Sequence, residues 1–540
     1  MATEPSPDGA RPRIPLFATS SNREESVGVD AKLINGYVEK GTNKELFIYK
    51  RPGMTTKYPI RPGLGIGYFR WGVDEYSIFG SILYRNSTNV GTVGSDITGY
   101  DGIYHFEIIK SDPEVLFFHN SFYAYTFNPL SGVLSAPLLK ALPSSFVGDT
   151  TTSSAAITNI SSTAGFVVDS SVTGDGIPSG SYIVTIDSGT QVTLNAAATA
   201  TATGVTFNRH SPGMPIYMVP GSAYLDGTLY VMDLDAKIWG SDINDVTVWD
   251  ALNFIRAQIE PDKGVAIAKQ LVYVIAFKEW STEFFYDAGN PEGSPLAPVQ
   301  GNKLNVGCRH AGSIQDVDGT LVWVSRTRSG SVGVFAMENA KGQPIGTPPI
   351  ERLLQAATFT TCYSVHIKIS GHKFYILSLP SDGLTLVYDL STGLWYQWTT
   401  SYGTYLPFTN CIADVNQKTL LQHATSGEIM EVSSTVYNDN GVIFAWELYT
   451  DNFDGGTRKP KYLYRMDMIA DQVSGSYVTV RCSEDDYATW SQERTFDLSK
   501  KRPNIRDCGT FLRRAWHFRH SAHTPLRLEA VELTISLGTY

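Results

Sequence analysis

Cysteine is scarce: five residues in 540 (Cys308, Cys362, Cys411, Cys482, Cys508), with no CxxC pair. A disulfide scaffold is excluded, the odd count leaves at least one thiol unpaired, and reduced, buried thiols are expected. Long apolar runs are missing too. The longest is about Leu271 to Phe277, against ~20 residues for a membrane span, and the opening MATEPSPDGARPRIPLF has no apolar signal core. No membrane span is expected, and the chain reads as soluble and non-secreted. Charge is sparse, at 18% of residues against a usual ~25%. Its balance, 43 Lys and Arg against 53 Asp and Glu for a net −10, excludes a chain that wraps nucleic acid over its whole surface, since phosphate binding needs clustered bases. With 48 Gly and 27 Pro the chain is neither collagen-like nor of low complexity. No GxSxG elbow, phosphate loop, strand-linked GxGxxG or HExxH occurs, so no catalytic, cofactor-binding or metal-binding residue is assigned, no cofactor is expected, and the chain is not read as an enzyme.

Hydrophobic residues are plentiful (42%, with 29 Tyr, 25 Phe and 10 Trp), enough to bury several cores. Helical periodicity is hard to find, whereas short Val, Ile, Tyr, Phe and Thr runs broken by Gly, Asn and Asp recur from end to end. An all-β fold follows. One equivalent point per repeating unit (Glu75, Glu114, Tyr224, Gln270, Gly319, His372, Gln417) gives spacings of 39, 110, 46, 49, 53 and 45. The outlier contains residues 145–209, whose only charged residues are Asp149, Asp169, Asp175, Asp187 and Arg209. Removing that stretch brings the interval to 45 and every spacing near the ~40–50 residues of a four-stranded propeller blade. The expected organisation is N-terminal arm and first strands over 1–60, a propeller of about six or seven blades over 61–144 and 210–440, a small inserted β-domain at 145–209, and a C-terminal β-rich, sandwich-like region at 441–540. Strand-like runs such as SYIVTIDS and QVTLNA set the insert apart from a disordered Ser/Thr linker, and GDGIPSGSYIVTIDSGTQVTLNAAATATATGV resembles small β-domains of phage structural proteins. Arg458 to Arg527 holds 14 Lys and Arg against 8 Asp and Glu, a basic stretch in an acidic chain that suggests a distinct surface.

Several clusters invite a chemical reading. His517, His520 and His523 lie near Cys508, but on a strand His517 and His523 would share a face with His520 pointing away, which argues against zinc. Asp316-Asp318-Gly319 and Asn438 to Gly441 lack the spaced acid of a calcium loop and read as hairpin turns. SEDDYATW (Ser483 to Trp490) looks like the Asp-box hairpin of sialidase-type propellers, with Tyr487 in place of glycine. Trp395, Tyr396 and Trp398 could form a sugar platform but fit packing between sheets.

Three ordered stretches resemble one family, the tail nozzle or hub (packaged-DNA stabilisation) proteins of short-tailed double-stranded-DNA phages. They are AKLINGYVEKGTNKELFIYKRPGM (Ala31 to Met54), FKEWSTEFFYDAG with the following NVGCRHAGSIQDVDGTLVWVS, and GHKFYILSLPSDGLTLVYDLSTGLWYQW (Gly371 to Trp398). The insert at 145–209 departs from that pattern. The resemblance implies a non-enzymatic virion part in the phage tail, assembled in the host bacterial cytoplasm. It implies a homo-hexameric ring below the portal and head-to-tail adaptor, contacting tail fibres or tailspikes and a tail needle or plug, and passing DNA without sequence-specific binding. The competing readings are a glycan-binding or glycan-cleaving adhesin at the tail tip and a host-side scaffold propeller.

Overall fold

A strand pairs none of its backbone donors and acceptors within itself, so a chain built of short strands must find a neighbour for each. Here it does so locally, hairpin by hairpin. The computed structural model describes residues 13–14, 31–41, 46–94, 100–138, 143–210, 213–250, 253–290 and 293–538. Among these, seven antiparallel sheets of about four strands follow one another along the chain, and the seven repeat points fall one to each. Blade 1 runs from Gly65–Trp71 to Thr88–Thr92 and blade 2 from His105–Ile109 to Val133–Leu134. Blade 3 runs from Ala223–Leu225 to Phe254–Arg256 and blade 4 from Gly264–Gln270 to Leu296–Leu304. Blade 5 carries Gly307–Cys308 and Gln315–Val317 on Thr320–Arg326, and blade 6 runs from Tyr363–Ile369 to Leu394–Gln397.

Blade 7 takes its outer strand from the other end of the chain. Phe408–Ala413, Thr419–His423 and Ile429–Ser433 are completed by Gly53–Thr56. First strands pack against those of neighbouring blades, and Phe408–Ala413 packs on Gly65–Trp71, so the ring closes. Two buried glutamines lock neighbours in the same way. Gln422 of blade 7 donates to Gly67 O and Ile78 O and accepts from Gly67 N, each at 3.0 Å. Gln270 of blade 4 donates to Gly319 O (3.0 Å) and Met337 O (2.8 Å) and accepts from Ala340 N (3.1 Å). A buried amide with all these bonds made holds two blades in one register; half-made, it would cost stability. The α-helix Pro348–Ala356 tucks Ile350 and Leu354 against blade 5, and no helix among the described residues is long and apolar enough to cross a membrane.

Between blades 2 and 3, Pro143–Thr150 to Ala202–His210 form a separate six-stranded sheet. Phe146, Ile157, Val172, Ile183, Val192 and Phe207 form a core of its own. After blade 7 comes a sandwich. One sheet orders Lys32–Ile34, Trp446–Tyr449, Ala515–His520, Tyr477–Ser483 and Arg494–Asp497, and it continues blade 6 because Lys32–Ile34 pairs in parallel with Leu394–Gln397. The facing sheet orders Gly36–Lys40, Leu46–Lys50, Arg527–Leu537, Lys461–Ala470 and Asn504–Arg506. Trp446, Trp516, Phe518, Met466, Val531 and Leu533 fill the space between them. Three of these ten strands, Lys32–Ile34, Gly36–Lys40 and Leu46–Lys50, thus come from the other end of the chain.

Because the 143–210 sheet has its own core and hangs on two adjacent strands, a chain lacking Ser145 to Arg209, with the ends joined, should remain soluble and β-rich by circular dichroism with a cooperative melt. Aggregation of that variant under conditions where the full chain is monodisperse would contradict the arrangement.

Candidate functional site

A propeller's natural site is its axis, where the first strands converge. Here that axis is filled. Tyr100, in the turn before blade 2, packs edge-on against His105 of blade 2 (ring centroids 6.1 Å) and His310 of blade 5 (5.4 Å), and tilts against Tyr363 of blade 6 (6.4 Å). A ring that reaches blades on opposite sides of the toroid can only sit on the axis. Gly312 is small for this reason: a Cβ there would lie 2.7 Å from the Tyr100 ring and 2.0 Å from Cys362 O. Beside it lies a pocket of about 250 Å³ lined by Tyr100, His105, Glu107, Ser222, Lys269 and Asp316, room for roughly eight water molecules. Burial pushes the Glu107 carboxyl up to about 7 against the pull of Lys269, and burial with His119 nearby pushes His105 down to about 3. Beside the axis, His366 Nδ1 lies 3.3 Å from Cys411 Sγ and 3.1 Å from Gln315 Nε2, bridging blades 5, 6 and 7; the electrostatic interaction with Cys411 raises the imidazole's pKa against burial.

The second arrangement is the Trp-Ser-Thr-Glu strand of blade 4. Lys278 Nζ, fully buried, meets Asp262 Oδ1 at 2.8 Å and Glu283 Oε1 at 2.5 Å and donates to Glu260 O at 2.7 Å. Asp262 also accepts from Ser281 Oγ (3.0 Å) and Trp280 N (2.8 Å). Two carboxylates held by one lysine, all three side chains at 0–1% exposure, tie a loop in place. A Cβ on Gly307 would come within 2.4 Å of Glu279 C and Trp280 N, so the Gly-Cys turn can lie against this strand only as glycine.

The third joins the propeller to the sandwich. Arg51 is 0% exposed. It makes a two-pronged contact with Asp439 (3.1 and 2.7 Å) and donates to Asn35 Oδ1, Pro52 O and Thr399 O at 3.0 Å each. Its guanidinium lies 3.6 Å from the Phe444 ring centre. Asn35, in left-handed backbone at φ 55°, accepts from Thr399 N at 2.8 Å and donates to Ala445 O at 2.8 Å. Gly36 and Gly53 permit the close approach, since a Cβ would sit 2.6 Å from Trp446 Nε1 at one and 2.0 Å from Asn438 O at the other. The Asn-Gly-Tyr and Arg-Pro-Gly signals of the N-terminal stretch are therefore one buried joint. Nothing in the sequence paired Arg51 with Asp439.

The sequence-derived clusters fall out as follows. His517 and His520 lie on Ala515–His520, but His523 is beyond its end and exposed, so the shared face expected for His517 and His523 does not exist. His517 Nε2 meets Glu447 Oε2 (3.1 Å), its Nδ1 accepts from Arg481 Nε (2.8 Å), and its ring stacks on Tyr449 at 4.0 Å. His520 Nε2 bonds Ser476 Oγ at 2.8 Å. The Asp-box-like hairpin sits in the sandwich, outside the blades, where Asp485 accepts from Ser483 Oγ (2.8 Å) and Thr489 N (2.9 Å). Tyr487 occupies the glycine position with φ 67°, and its hydroxyl donates to Thr450 O at 2.8 Å from a buried ring, which offsets the strain. Asp318 and Gly319 form a hairpin turn at φ 60° and 90°, with Asp318 paired to Lys368 and Lys373. Tyr396 and Trp398 are buried, and Trp398 Nε1 donates to Gly36 O at 3.0 Å, so these aromatics pack and form no platform.

The family model described as "Bacteriophage P22 Gp10, beta-propeller" matches residues 153–420. The match covers two of the three family-like stretches, leaves out Ala31 to Met54, and takes in residues 153–209 of the segment set apart above. No curated protein sequence matches the chain. Among solved structures, the RRP9 WD40 repeats align at 8% identity and TM-score 0.34, covering 71% of this chain and 99% of theirs. BamB from Moraxella catarrhalis aligns at 11% and 0.31 (73% and 97%), and the computationally designed Ika8 protein at 9% and 0.34 (71% and 99%).

Replacing Arg51 with Met leaves Asp439 facing an apolar joint and should lower stability by about 3–5 kcal/mol, read as a denaturant midpoint shift. A shift below ~1 kcal/mol, the value of a surface pair, would show that the joint is not set by this contact.

Proposed function

The chain belongs to this phage tail-nozzle and stabilisation family of β-propellers, and we propose that it acts there as a non-enzymatic ring subunit, retaining packaged DNA and conducting it at ejection. Its place in a phage tail as a structural component follows from the family match over residues 153–420. The observation that carries the rest is the plugged axis. With Tyr100 bridging blades 2, 5 and 6 and a pocket of about 250 Å³ beside it, the propeller cannot pass a duplex whose major groove alone is about 12 Å wide. A conduit must then be the hole between several copies, as in a cyclic homo-hexamer below the portal and adaptor.

Net charge supports the same reading. At −10 the chain offers phosphates little of the salt-dependent grip that Lys and Arg produce, so a duplex can slide. The basic stretch from Arg458 to Arg527 lies in the sandwich, away from the blades, and suits an acidic neighbour in the tail. The adhesin reading loses its motif, because the Asp-box-like hairpin is a sandwich turn with its oxygens spent on Ser483 and Thr489.

Virions assembled without this chain should form capsids and package DNA, then lose it or fail to complete their tails. Particles that keep their genome on a complete tail, yet cannot attach to host glycans, would establish the adhesin instead.

A further inference from the structure

The sandwich, like the propeller, contains a cavity. It holds about 510 Å³ between the two sheets. Its floor is apolar: Met466, Val480 and Trp516 are nearly inaccessible, with Ile505 beside them. Its mouth opens between Arg494–Asp497 and Asn504–Arg506, the outermost strands of their respective sheets. Two edges therefore border a hollow with an apolar floor and a polar rim, an arrangement that β-proteins otherwise cover.

Two guanidiniums stand over that hollow. Arg494 donates to Asp507 O (3.3 Å), to Arg506 O and to Cys508 Sγ (3.4 Å), and among the described residues it has no carboxylate within ion-pair distance. Arg514, 3% exposed, donates to Cys508 O (2.6 Å) and Thr510 O (3.2 Å) and pairs with Glu484, which is half exposed. Among the described residues the Arg514 Nε is buried with no partner. Glu493 and Asp507 also line the cavity, but neither carboxylate pairs with these arginines, and Arg481 is turned away to His517. An unpartnered buried N–H and a cation satisfied only by carbonyls and a thiol are the donors a carboxylate would meet.

We propose that this cavity is a docking site for an extended segment of a neighbouring protein. The segment would insert one aliphatic or aromatic side chain onto Met466, Val480 and Ile505 and set an adjacent carboxylate against Arg494 and Arg514. A protein segment fits better than a free apolar acid because the mouth is a pair of strand edges, whose main-chain groups a peptide can pair and an acid cannot. The inference does not depend on the nozzle reading; a propeller of any function would present the same cavity.

Cys482 and Cys508 line the cavity and report on its occupancy. In the full chain, an excess of the capped peptide Gly-Ser-Thr-Leu-Asp-Thr-Ser should slow N-ethylmaleimide alkylation of Cys508, read by mass spectrometry, about tenfold. Peptides with Ser for Leu or Asn for Asp should lose most of that protection, as should the full-length R494Q variant, whose change is on an exposed side chain. Alkylation unaffected by the Leu-Asp peptide would overturn the proposal, and octanoate protecting as well as the peptide would assign the cavity to a free acid instead. A virion phenotype cannot produce either result, so this test fails or succeeds separately from the ring reading.

Discussion

Arg51 carries its charge where no water reaches, and the meeting of propeller and sandwich depends on how that charge is satisfied. Five oxygens from four parts of the chain surround it: Asn35, Pro52, Thr399 and both oxygens of Asp439. Each acceptor lost around a buried guanidinium leaves a desolvated donor and costs stability. The N-terminal strands, the segment leaving blade 6 and the loop after blade 7 must therefore arrive together. Its neighbour Lys50 is under the same constraint. With its ammonium donating to Ala522 O at 2.7 Å, burial brings its pKa down to about 7.

That joint explains how a ring made of local hairpins becomes one body. Gly53–Thr56, two residues past Arg51, is the outer strand of blade 7, so the interaction that fixes the sandwich also delivers the strand that closes the propeller. Closure in turn presses the first strands together on the axis, where Tyr100 fills the centre. Pairings that span most of the chain are slow to find and costly in loop entropy, but once made they couple the two ends.

Much of this was legible in sequence. Blade periodicity is carried by hairpins, whose turn residues and alternation are local, so seven marks such as Glu75 and His372 landed on seven sheets. The 143–210 sheet announced itself by lacking charge. What stayed hidden was every long-range partner. Leu46–Lys50 reads as one more hairpin strand, and nothing in LFIYK says that it faces Arg527–Leu537. The plug was equally silent, because one tyrosine among 29 carries no mark of sitting on an axis. His517, His520 and His523 misled through spacing: a strand period was extended past the point where the strand ends. The hairpin read in SEDDYATW is present, with Tyr487 in left-handed backbone, uncommon for a non-glycine residue and here dependent on a buried hydroxyl contact.

The central claim is that DNA passes beside the propellers and not through them. An electron cryo-microscopy map of the assembled tail, with DNA present, tests it most directly. The account predicts duplex density in a lumen between symmetry-related copies, with Tyr100 ordered on each closed propeller axis. Duplex density on the axis of a single propeller, or a single copy of the chain standing at the tail tip with no ring, would contradict it.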